Sequence, residues 1–393
     1  MSKLRVAYVI FPRHSPIIPA PTFAIDSARC LAGVAGLHVE VVMPLPLRFL
    51  RRLQSRSRRA RGARAWPTGL DEVLLRLEPR PTLVPYLPLP QRSVESASLA
   101  IAAMIRLRPP DERPHVIIGP FLDEGGFAAT TIARYTGAKS IAVACGSDIR
   151  ALAASDYGPT SINVKRSRKA IENADQVIAV SRELAQEVVR RGKPAEVIHF
   201  TADPAKFPAG PFPPSASDVL FVGRLSRAKG VDLLLESFAK VRWPGAHLRL
   251  VGSRSEDLDV GAEVRRLGLS SRVTIVGELR HGSDELSMEY RGASCFVLPS
   301  RSEGFPTTVV EALLSGRPVV ATDVGGVAEL VSSKVGVLVP PDDSPALTNA
   351  LDSVLQSVAA GNWSPQELRH YALPVSWEGS TPRLAAVVRR LTT

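Results

Sequence analysis

Two carboxylates, Glu303 and Glu311, lie in the segment PSRSEGFPTTVVEALLSGRPVVATDVGG (299–326). An apolar run typical of a buried strand ends where this segment begins, and a helix is predicted to follow from about Thr308 to Ser315. Glu303 would lie on the loop before that helix and Glu311 one turn into it, so both could accept hydrogen bonds from the hydroxyl groups of one ligand. The backbone N–H groups around Phe305–Val309 would form a helix N-terminus that favours anions.

Two basic side chains follow another apolar run in the segment FVGRLSRAKGVDLLLESF (221–238). Gly223 permits a tight turn after the predicted strand, and Arg224 and Lys229 precede an amphipathic helix. Two cations on such a loop could neutralise the charge that develops when a bond to a diphosphate breaks. The second half of the chain is therefore predicted to hold a diphosphate next to a hydroxyl-rich group.

Two local patterns also have simpler interpretations. Thr308 and Glu311 fit a capping box, in which Glu311 would turn back to the helix end without contacting a ligand. The sequence DLD at 257–259 has the spacing of a metal-binding motif, but it is not preceded by a hydrophobic strand, and we interpret it as a chance match.

Short apolar runs alternate with stretches of helical periodicity along the chain. In the first half the runs lie at 6–11, 38–43, 115–119, 140–145, 176–180 and 196–200. In the second half they lie at 218–223, 247–252, 272–277, 294–299, 318–322 and 335–340. Strands that alternate with amphipathic helices predict an α/β fold with parallel sheets covered on both faces.

A proline-rich segment divides this pattern in two. Residues 204–217 (PAKFPAGPFPPSAS) contain five prolines, a density that supports neither a helix nor a central strand. We interpret the segment as a linker between an N-terminal domain (1–203) and a C-terminal domain (218–370). Ligands of open parallel sheets bind beyond the carboxyl ends of the strands, and we expect the two domains to face each other there across a cleft.

The composition excludes several classes of protein. The 393 residues are 45% hydrophobic and 22% charged, which is inconsistent with general disorder. No run reaches the roughly 18 apolar residues of a membrane span. The three cysteines, Cys30, Cys145 and Cys295, form no CxxC pair and indicate neither a disulfide framework nor a zinc site. We therefore expect a protein of the reducing cytoplasm.

Positive charge is concentrated in the first half of the chain. The net charge is +11, and residues 1–200 hold 29 Lys and Arg against 17 Asp and Glu. The densest part contains the arginine cluster, which we define as Arg48, Arg51, Arg52, Arg56, Arg58, Arg59, Arg61 and Arg64. The cluster fits a solvated loop or a patch that docks on the anionic inner face of a membrane. Nucleic acid is not expected as a partner, because interleaved aromatic residues and recognition motifs are missing.

The segments GRLSRAKG, SEGFPTTVVEA and GRPVVATDVGGVAELV resemble the retaining glycosyltransferases of the GT4 family, which have the GT-B fold. The resemblance extends over most of the chain. It implies two Rossmann-like domains, with residues 371–393 packing back on the first. It also implies sugar transfer from a nucleoside-diphosphate sugar without a metal or other cofactor. The acceptor would be lipid-linked or a glycan, in cell-envelope or exopolysaccharide synthesis.

The same resemblance assigns roles to individual residues. Arg224 and Lys229 match the family's diphosphate-binding pair, and Glu303 matches the carboxylate that contacts the donor sugar. Glu311 matches the ligand of the donor ribose. The remaining donor-binding matches are the turn residue Gly223, the amide loop Gly304, Phe305, Pro306, Thr307 and Thr308, and the base loop at Leu279 and Arg280.

Two segments depart from the family's pattern. Where relatives often carry a glycine-rich loop after the first strand, this chain has SPIIPAPTF (15–23). Cys145 stands where many relatives have a histidine near the donor sugar, and Asp148 remains a polar candidate on the acceptor side. Two alternatives stay open: a phosphorylase or sugar-nucleotide epimerase of the same architecture, and a non-catalytic carbohydrate- or lipid-binding scaffold.

Overall fold

The computed structural model describes residues 3–11, 22–46, 81–89, 92–150, 161–214 and 217–393. The chain forms two compact units. The first unit comprises Met1–Phe200 together with Ser380–Thr393, and the second unit comprises Thr201–Gly379. The sequence placed the corresponding boundaries at 203 and 370.

In its described part, the first unit contains a seven-stranded parallel sheet in the order β3-β2-β1-β4-β5-β6-β7. The strands are β1 (Leu4–Val9), β2 (Leu37–Pro46), β3 (Thr82–Tyr86), β4 (Val116–Pro120), β5 (Lys139–Ala144), β6 (Gln176–Ala179) and β7 (Ala195–Val197). The helices are α1 (Thr22–Ala32), α2 (Ser93–Leu107), α3 (Phe127–Thr136), α4 (Ser147–Arg150), α5 (Ile162–Asn173) and α6 (Arg182–Val189), with short turns at Pro110–Glu112 and Phe121–Gly126.

The second unit contains a six-stranded parallel sheet, counted over its described residues, in the order β10-β9-β8-β11-β12-β13. Its strands are β8 (Asp218–Val222), β9 (His247–Val251), β10 (Val273–Gly277), β11 (Cys295–Leu298), β12 (Val319–Thr322) and β13 (Gly336–Val339). The helices are α7 (Val231–Phe238), α8 (Val260–Arg266), α9 (Asp284–Gly292), α10 (Thr307–Leu314), α11 (Ser344–Ala359) and α12 (Pro365–Ala372), with short turns at Gly325–Glu329 and Leu373–Val375. The last helix, α13 (Trp377–Thr392), begins in the second unit and continues into the first.

Both sheets have the doubly wound order of Rossmann-type folds. In each sheet the chain lays down three strands in one direction and then returns to continue from the other side of the first strand. The strand order therefore reverses between the paired strands β1 and β4 in the first unit and between β8 and β11 in the second. Loops that follow such a pair of strands diverge from each other and leave a crevice, which is where ligands of this fold bind.

All twelve apolar runs in the sequence form strands, and the fold-class prediction is confirmed. The four residues of β11 are fully buried because helices cover both faces of a parallel sheet. The strand that the sequence did not reveal is β3, which contains Pro85. Because β3 is the edge strand beyond β2, the missing N–H of proline interrupts no ladder between two neighbours.

The proline-rich segment is packed against the second unit. Residues 201–214 form no helix or strand, and the Phe207 side chain is fully buried. Arg369 Nη1 donates to the Phe207 carbonyl at 2.6 Å, and Arg317 Nη2 donates to the Gly210 carbonyl at 2.6 Å. The proline-rich segment forms no regular structure that would pair its carbonyl groups, and arginines of the second unit donate hydrogen bonds to them instead. The segment that the sequence suggested as a linker, 204–217, therefore belongs to that unit through residue 214.

Arg317 is an unusually buried cation. Its side chain has no exposed surface, and its guanidinium carbon lies 4.8 Å from the centre of the Phe212 ring. Burial lowers the pKa of Arg317 to about 10, with a smaller contribution from the nearby charge of Arg291. The cost of burying this charge is offset in part by the carbonyl and ring contacts that fasten the segment.

The last helix, α13, contributes its C-terminal part to the first unit. Arg389 Nη2 donates to the Ala35 carbonyl at 3.0 Å, and Arg390 Nη2 lies 2.9 Å from Glu196 Oε2. None of the described helices has both the length and the apolar character needed to cross a membrane.

Candidate functional site

The loops after β8 and β11 meet at the carboxyl edge of the second sheet. Gly230 ends the first loop with φ +68°, and a Cβ built on it would lie 1.9 Å from the Pro299 carbonyl oxygen. The backbones are further joined by the Arg301 amide, which donates to the Ala228 carbonyl at 3.1 Å. Only glycine fits at position 230, because the turn needs a left-handed residue and leaves no room for a side chain.

This approach brings Lys229 and Glu303 together. Lys229 Nζ lies 2.7 Å from Glu303 Oε1, and Ser300 Oγ donates to the same oxygen at 2.6 Å. The Glu303 side chain is 8% exposed, whereas that of Lys229 is 33% exposed. The carboxylate is therefore fixed by two donors, and the ammonium keeps one side open to solvent and to a ligand.

Arg301 connects three loops at this edge. Its guanidinium donates to Asp232 Oδ1 at 2.8 Å, to Asp342 Oδ1 at 2.8 Å and to the Arg227 carbonyl. Asp232 is in α7, and Asp342 follows β13 with an unfavourable positive φ of +58°. Hydrogen bonds from Arg301 lower the pKa of Asp232, although its partial burial acts in the opposite direction. Arg301 thus holds the loop that carries Lys229 in register with the loop that carries Glu303.

Arg224 is the second predicted cation of the site. It follows β8, and the neighbouring Leu225 amide donates to the Ser253 carbonyl at 2.8 Å, which extends the chain past the end of β9. The Arg224 side chain is exposed and has neither an ion pair nor a hydrogen bond with any residue that the structure describes. Its guanidinium is therefore available to an external anion.

Helix α10 begins at Thr307, directly after the Glu303 loop. Pro306 occupies the N-cap position, and no side chain caps the helix. The Gly304 carbonyl accepts a hydrogen bond from the Gly326 amide at 3.2 Å, and Phe305 is buried, so the loop is anchored. The Val309 amide donates to the Pro306 carbonyl at 3.2 Å. The amides of Thr307 and Thr308 precede it in the first turn, where a helix offers no acceptor of its own, and they can bind an anion.

Glu311 does not form the capping box that the sequence allowed. Its Oε2 accepts a hydrogen bond from Tyr290 Oη at 2.7 Å, and its Oε1 lies 3.4 Å from His281 Nδ1. The residue is 1% exposed. The capping-box interpretation is wrong because the helix starts one residue before Thr308 and the carboxylate points to α9 and to the loop after β10 rather than to the helix end.

The predicted base loop follows β10, the edge strand of the second sheet. Leu279 is half-buried and Arg280 is exposed. Partial burial raises the pKa of the Glu278 carboxyl, one oxygen of which is buried without a hydrogen-bond partner among the described residues.

Asp148 lies in the first unit and organises a loop there. Its carboxylate accepts hydrogen bonds from the amides of Gly146 at 2.7 Å, Leu122 at 2.8 Å and Cys145 at 3.1 Å. The residue is 3% exposed. These contacts join the turn after β4 to the loop after β5. That Asp148 contributes to the acceptor side stays a prediction.

Two parts of the sequence-based site lie outside the described residues. One is the arginine cluster from Arg48 to Arg64, and the other is most of the segment 15–23.

Sequence reasoning missed four residues of this site. Ser300 and Arg301 precede Glu303 in the same loop, so their polar character was a usable signal. Tyr290 and His281 gave no such signal, because only the packing of α9 and the β10 loop brings them to Glu311.

Comparison with known proteins agrees with this geometry. Residues 216–357, which include the Lys229 and Glu303 loops, match the family model described as "Glycosyl transferases group 1". The matched residues lie within the described second unit except for residue 216.

Two curated relatives are described as glycosyltransferases. The chain is 34% identical over 197 residues to a D-inositol 3-phosphate glycosyltransferase of Corynebacterium urealyticum, covering 46% of this chain and 45% of the relative. It is 30% identical over 261 residues to the enzyme of that name from Mycobacterium tuberculosis, covering 61% of this chain and 54% of the relative. The chain therefore spans about half the length of these relatives.

Solved structures match over nearly the whole chain. Sucrose-phosphate synthase from Thermosynechococcus elongatus superposes with a TM-score of 0.74 at 20% identity, covering 99% of both chains. Anabaena HepE in complex with UDP superposes with a TM-score of 0.73 at 15% identity, covering 98% of this chain and 100% of HepE. At these identities the match concerns the fold alone: two parallel α/β sheets of the GT-B type.

Proposed function

We propose that this protein is a retaining glycosyltransferase that moves a sugar from a nucleoside-diphosphate donor to a lipid-linked or glycan acceptor. The observation that carries the proposal is the 2.7 Å contact between Lys229 and Glu303, which places a cation and a carboxylate where the second sheet reverses its strand order. The family match of residues 216–357 and the glycosyltransferase relatives support transfer over phosphorolysis or epimerisation.

The donor would contact both Lys229 and Glu303. The diphosphate would be neutralised by Lys229, by the exposed guanidinium of Arg224 and by the amides of the uncapped α10. Glu303, held by Ser300, would accept hydrogen bonds from hydroxyl groups of the sugar. Sugar and leaving group would thus be bound by adjacent residues of one loop pair.

The reaction exchanges one bond at the anomeric carbon for another. The bond from that carbon to the phosphate oxygen breaks, and a bond to the acceptor oxygen forms on the same face. The departing diphosphate takes up the electron pair of the broken bond, and its leaving oxygen accepts the proton that the acceptor hydroxyl loses. Lys229 and Arg224 stabilise the negative charge on the diphosphate more strongly as it develops, which lowers the barrier. None of these steps assigns work to a metal, and we propose that activity persists in EDTA.

The direct test is a thermal-shift screen of nucleoside diphosphates and their sugars, followed by an assay of nucleoside diphosphate release. A donor at 100 times its dissociation constant should add about 2.7 kcal/mol to the unfolding free energy. Stabilisation by one nucleotide together with its release in the presence of acceptor supports the proposal. Stabilisation without turnover over a broad acceptor panel would instead identify a non-catalytic binding protein.

Arg301 provides a prediction about positioning. Arg301→Met should lower kcat/KM by about 10-fold, because the loop carrying Glu303 loses its contacts to Asp232 and to the β13 loop. The matched control is Arg266→Met, which removes an exposed arginine paired with Glu263 three residues away on α8. Equal activity of the two variants would show that Arg301 does not position the site.

We also propose that the arginine cluster docks the protein on anionic lipid. The motivating fact is the excess of 29 basic over 17 acidic residues in the first 200 positions. Each arginine near an anionic surface contributes about 1 kcal/mol, and this attraction is screened by salt. Vesicles containing phosphatidylglycerol should sediment the protein at low salt and release it at high salt. A variant with all eight cluster arginines changed to glutamine should stay in the supernatant, and unchanged binding by it would refute the proposal.

A further inference from the structure

A buried phenol is directed at the carboxylate of Glu311. Tyr290, on α9, has no exposed surface, and its Oη donates to Glu311 Oε2 at 2.7 Å. Burial, and then the neighbouring charge of Glu311, raise the pKa of Tyr290 well above its ordinary value, so the phenol stays protonated and remains a donor. A carboxylate as buried as Glu311 is costly unless such donors satisfy it.

The ring of Tyr290 is held by contacts that do not involve the hydroxyl. It meets the Phe207 ring edge-on with centres 5.6 Å apart, and the Phe296 ring lies 5.8 Å away. Tyr290 Oη also lies 3.5 Å from the Thr308 carbonyl oxygen in the first turn of α10. The hydroxyl is therefore fixed in space, and its contribution can be separated from that of the ring.

A second side chain faces the other oxygen of Glu311. His281 Nδ1 lies 3.4 Å from Oε1, and the imidazole is 14% exposed. His281 comes from the loop after β10 and Tyr290 from α9, so two different elements restrict the carboxylate. A carboxylate restrained in this way pays little entropy when it accepts hydrogen bonds from a ligand.

We infer that Tyr290 is a positioning residue through which Glu311 recognises the ribose diol of the donor nucleotide. The inference rests on the proposed function, since it takes the ligand to be a nucleoside diphosphate. Tyr290 holds one carboxylate oxygen and thereby sets the orientation of the other lone pairs. A diol with two adjacent hydroxyls can donate to them together, and a sugar without those hydroxyls cannot.

The experiment measures, by calorimetry, the binding of matched pairs of nucleotides that differ in the ribose hydroxyl groups. The probes are UDP and GDP, each compared with its 2′,3′-dideoxy counterpart, and the proteins are wild type, Tyr290→Phe, Glu311→Gln and the double variant. Tyr290→Phe should weaken binding of the ribonucleotide by about 10-fold, the size expected for a hydrogen bond to a charged group. Binding of the dideoxynucleotide should change by less than twofold. In the Glu311→Gln background the tyrosine change should cost nothing further.

The matched control is Tyr371→Phe, which removes a hydroxyl 3.3 Å from Ser332 Oγ on a side chain that is 37% exposed. This variant should bind the ribonucleotide and the dideoxynucleotide as tightly as wild type does. If Tyr290→Phe weakens binding of the ribonucleotide and of its dideoxy counterpart equally, or weakens neither, the inference is overturned while the proposed function stands. No nucleotide binding by wild type overturns both. If Glu311→Gln does not fold, the ratio of the dissociation constants of the ribonucleotide and its dideoxy counterpart in Tyr290→Phe decides by itself.

Discussion

Replacing Lys229 with methionine should lower kcat/KM for nucleoside diphosphate release by about 10²- to 10³-fold, the usual cost of removing one preorganised group that stabilises transition-state charge. Methionine keeps the length of the side chain and removes its charge. The ammonium lies 2.7 Å from Glu303 Oε1, so the same change also leaves a nearly buried carboxylate with Ser300 as its remaining side-chain donor in the contacts described above. We expect most of the loss in kcat, since the phosphate charge grows as the bond breaks.

Three further variants make this result specific. Lys240→Met removes an exposed lysine of the same unit, whose Nζ lies 3.3 Å from Ser344 Oγ, and should leave activity within twofold of wild type. Glu303→Gln should also cost about 10²-fold, and the double variant should lose much less than the product of the two single losses, because each residue acts partly through the other. Full activity of Lys229→Met would remove this pair from the mechanism.

Gly230→Ala should lower the unfolding free energy of the second unit by about 3 kcal/mol. The left-handed backbone at φ +68° costs a non-glycine residue about 1 kcal/mol, and the added Cβ, 1.9 Å from the Pro299 carbonyl oxygen, forces the two site loops apart at a further cost of about 2 kcal/mol. Because Lys229 is the adjacent residue, activity should fall as well.

A second glycine separates the two costs. Gly268 has the same φ of +68°, and a Cβ added there would meet no atom within 4 Å. Gly268→Ala should therefore cost about 1 kcal/mol and leave activity unchanged. Urea unfolding of both variants, monitored by tryptophan fluorescence, measures the difference between their unfolding free energies. Equal destabilisation would show that the close approach of the β8 and β11 loops does not contribute to the stability of the site.

The sequence predicts the parts of this protein that follow from local periodicity. Buried parallel strands have continuous apolar runs, which is why the strands of the second sheet could be located to within one or two residues. The Glu303 loop and the Lys229 loop were predicted as parts of one site because each follows such a strand. The edge strand β3 was missed because Pro85 breaks its pattern and the edge position tolerates that break.

Tertiary contacts account for what the sequence could not reveal. Residues 204–214 have the composition of a linker, and only the three-dimensional positions of Arg317 and Arg369 show that their carbonyls are bound. Glu311 fits a capping box by spacing, but Tyr290, 21 residues earlier in the chain, is its actual partner. The Asp148 carboxylate accepts hydrogen bonds from three amides on two different loops, a set of partners that only the tertiary structure reveals.

Hydrogen–deuterium exchange with and without a bound nucleoside diphosphate tests most directly that the carboxyl edge of the second sheet holds the diphosphate. We expect slower exchange in the peptides covering 223–230 and 303–309, and no such protection in Lys229→Met at the same nucleotide concentration. Protection confined to other peptides, with these two segments unchanged in a protein that demonstrably binds the nucleotide, would contradict it.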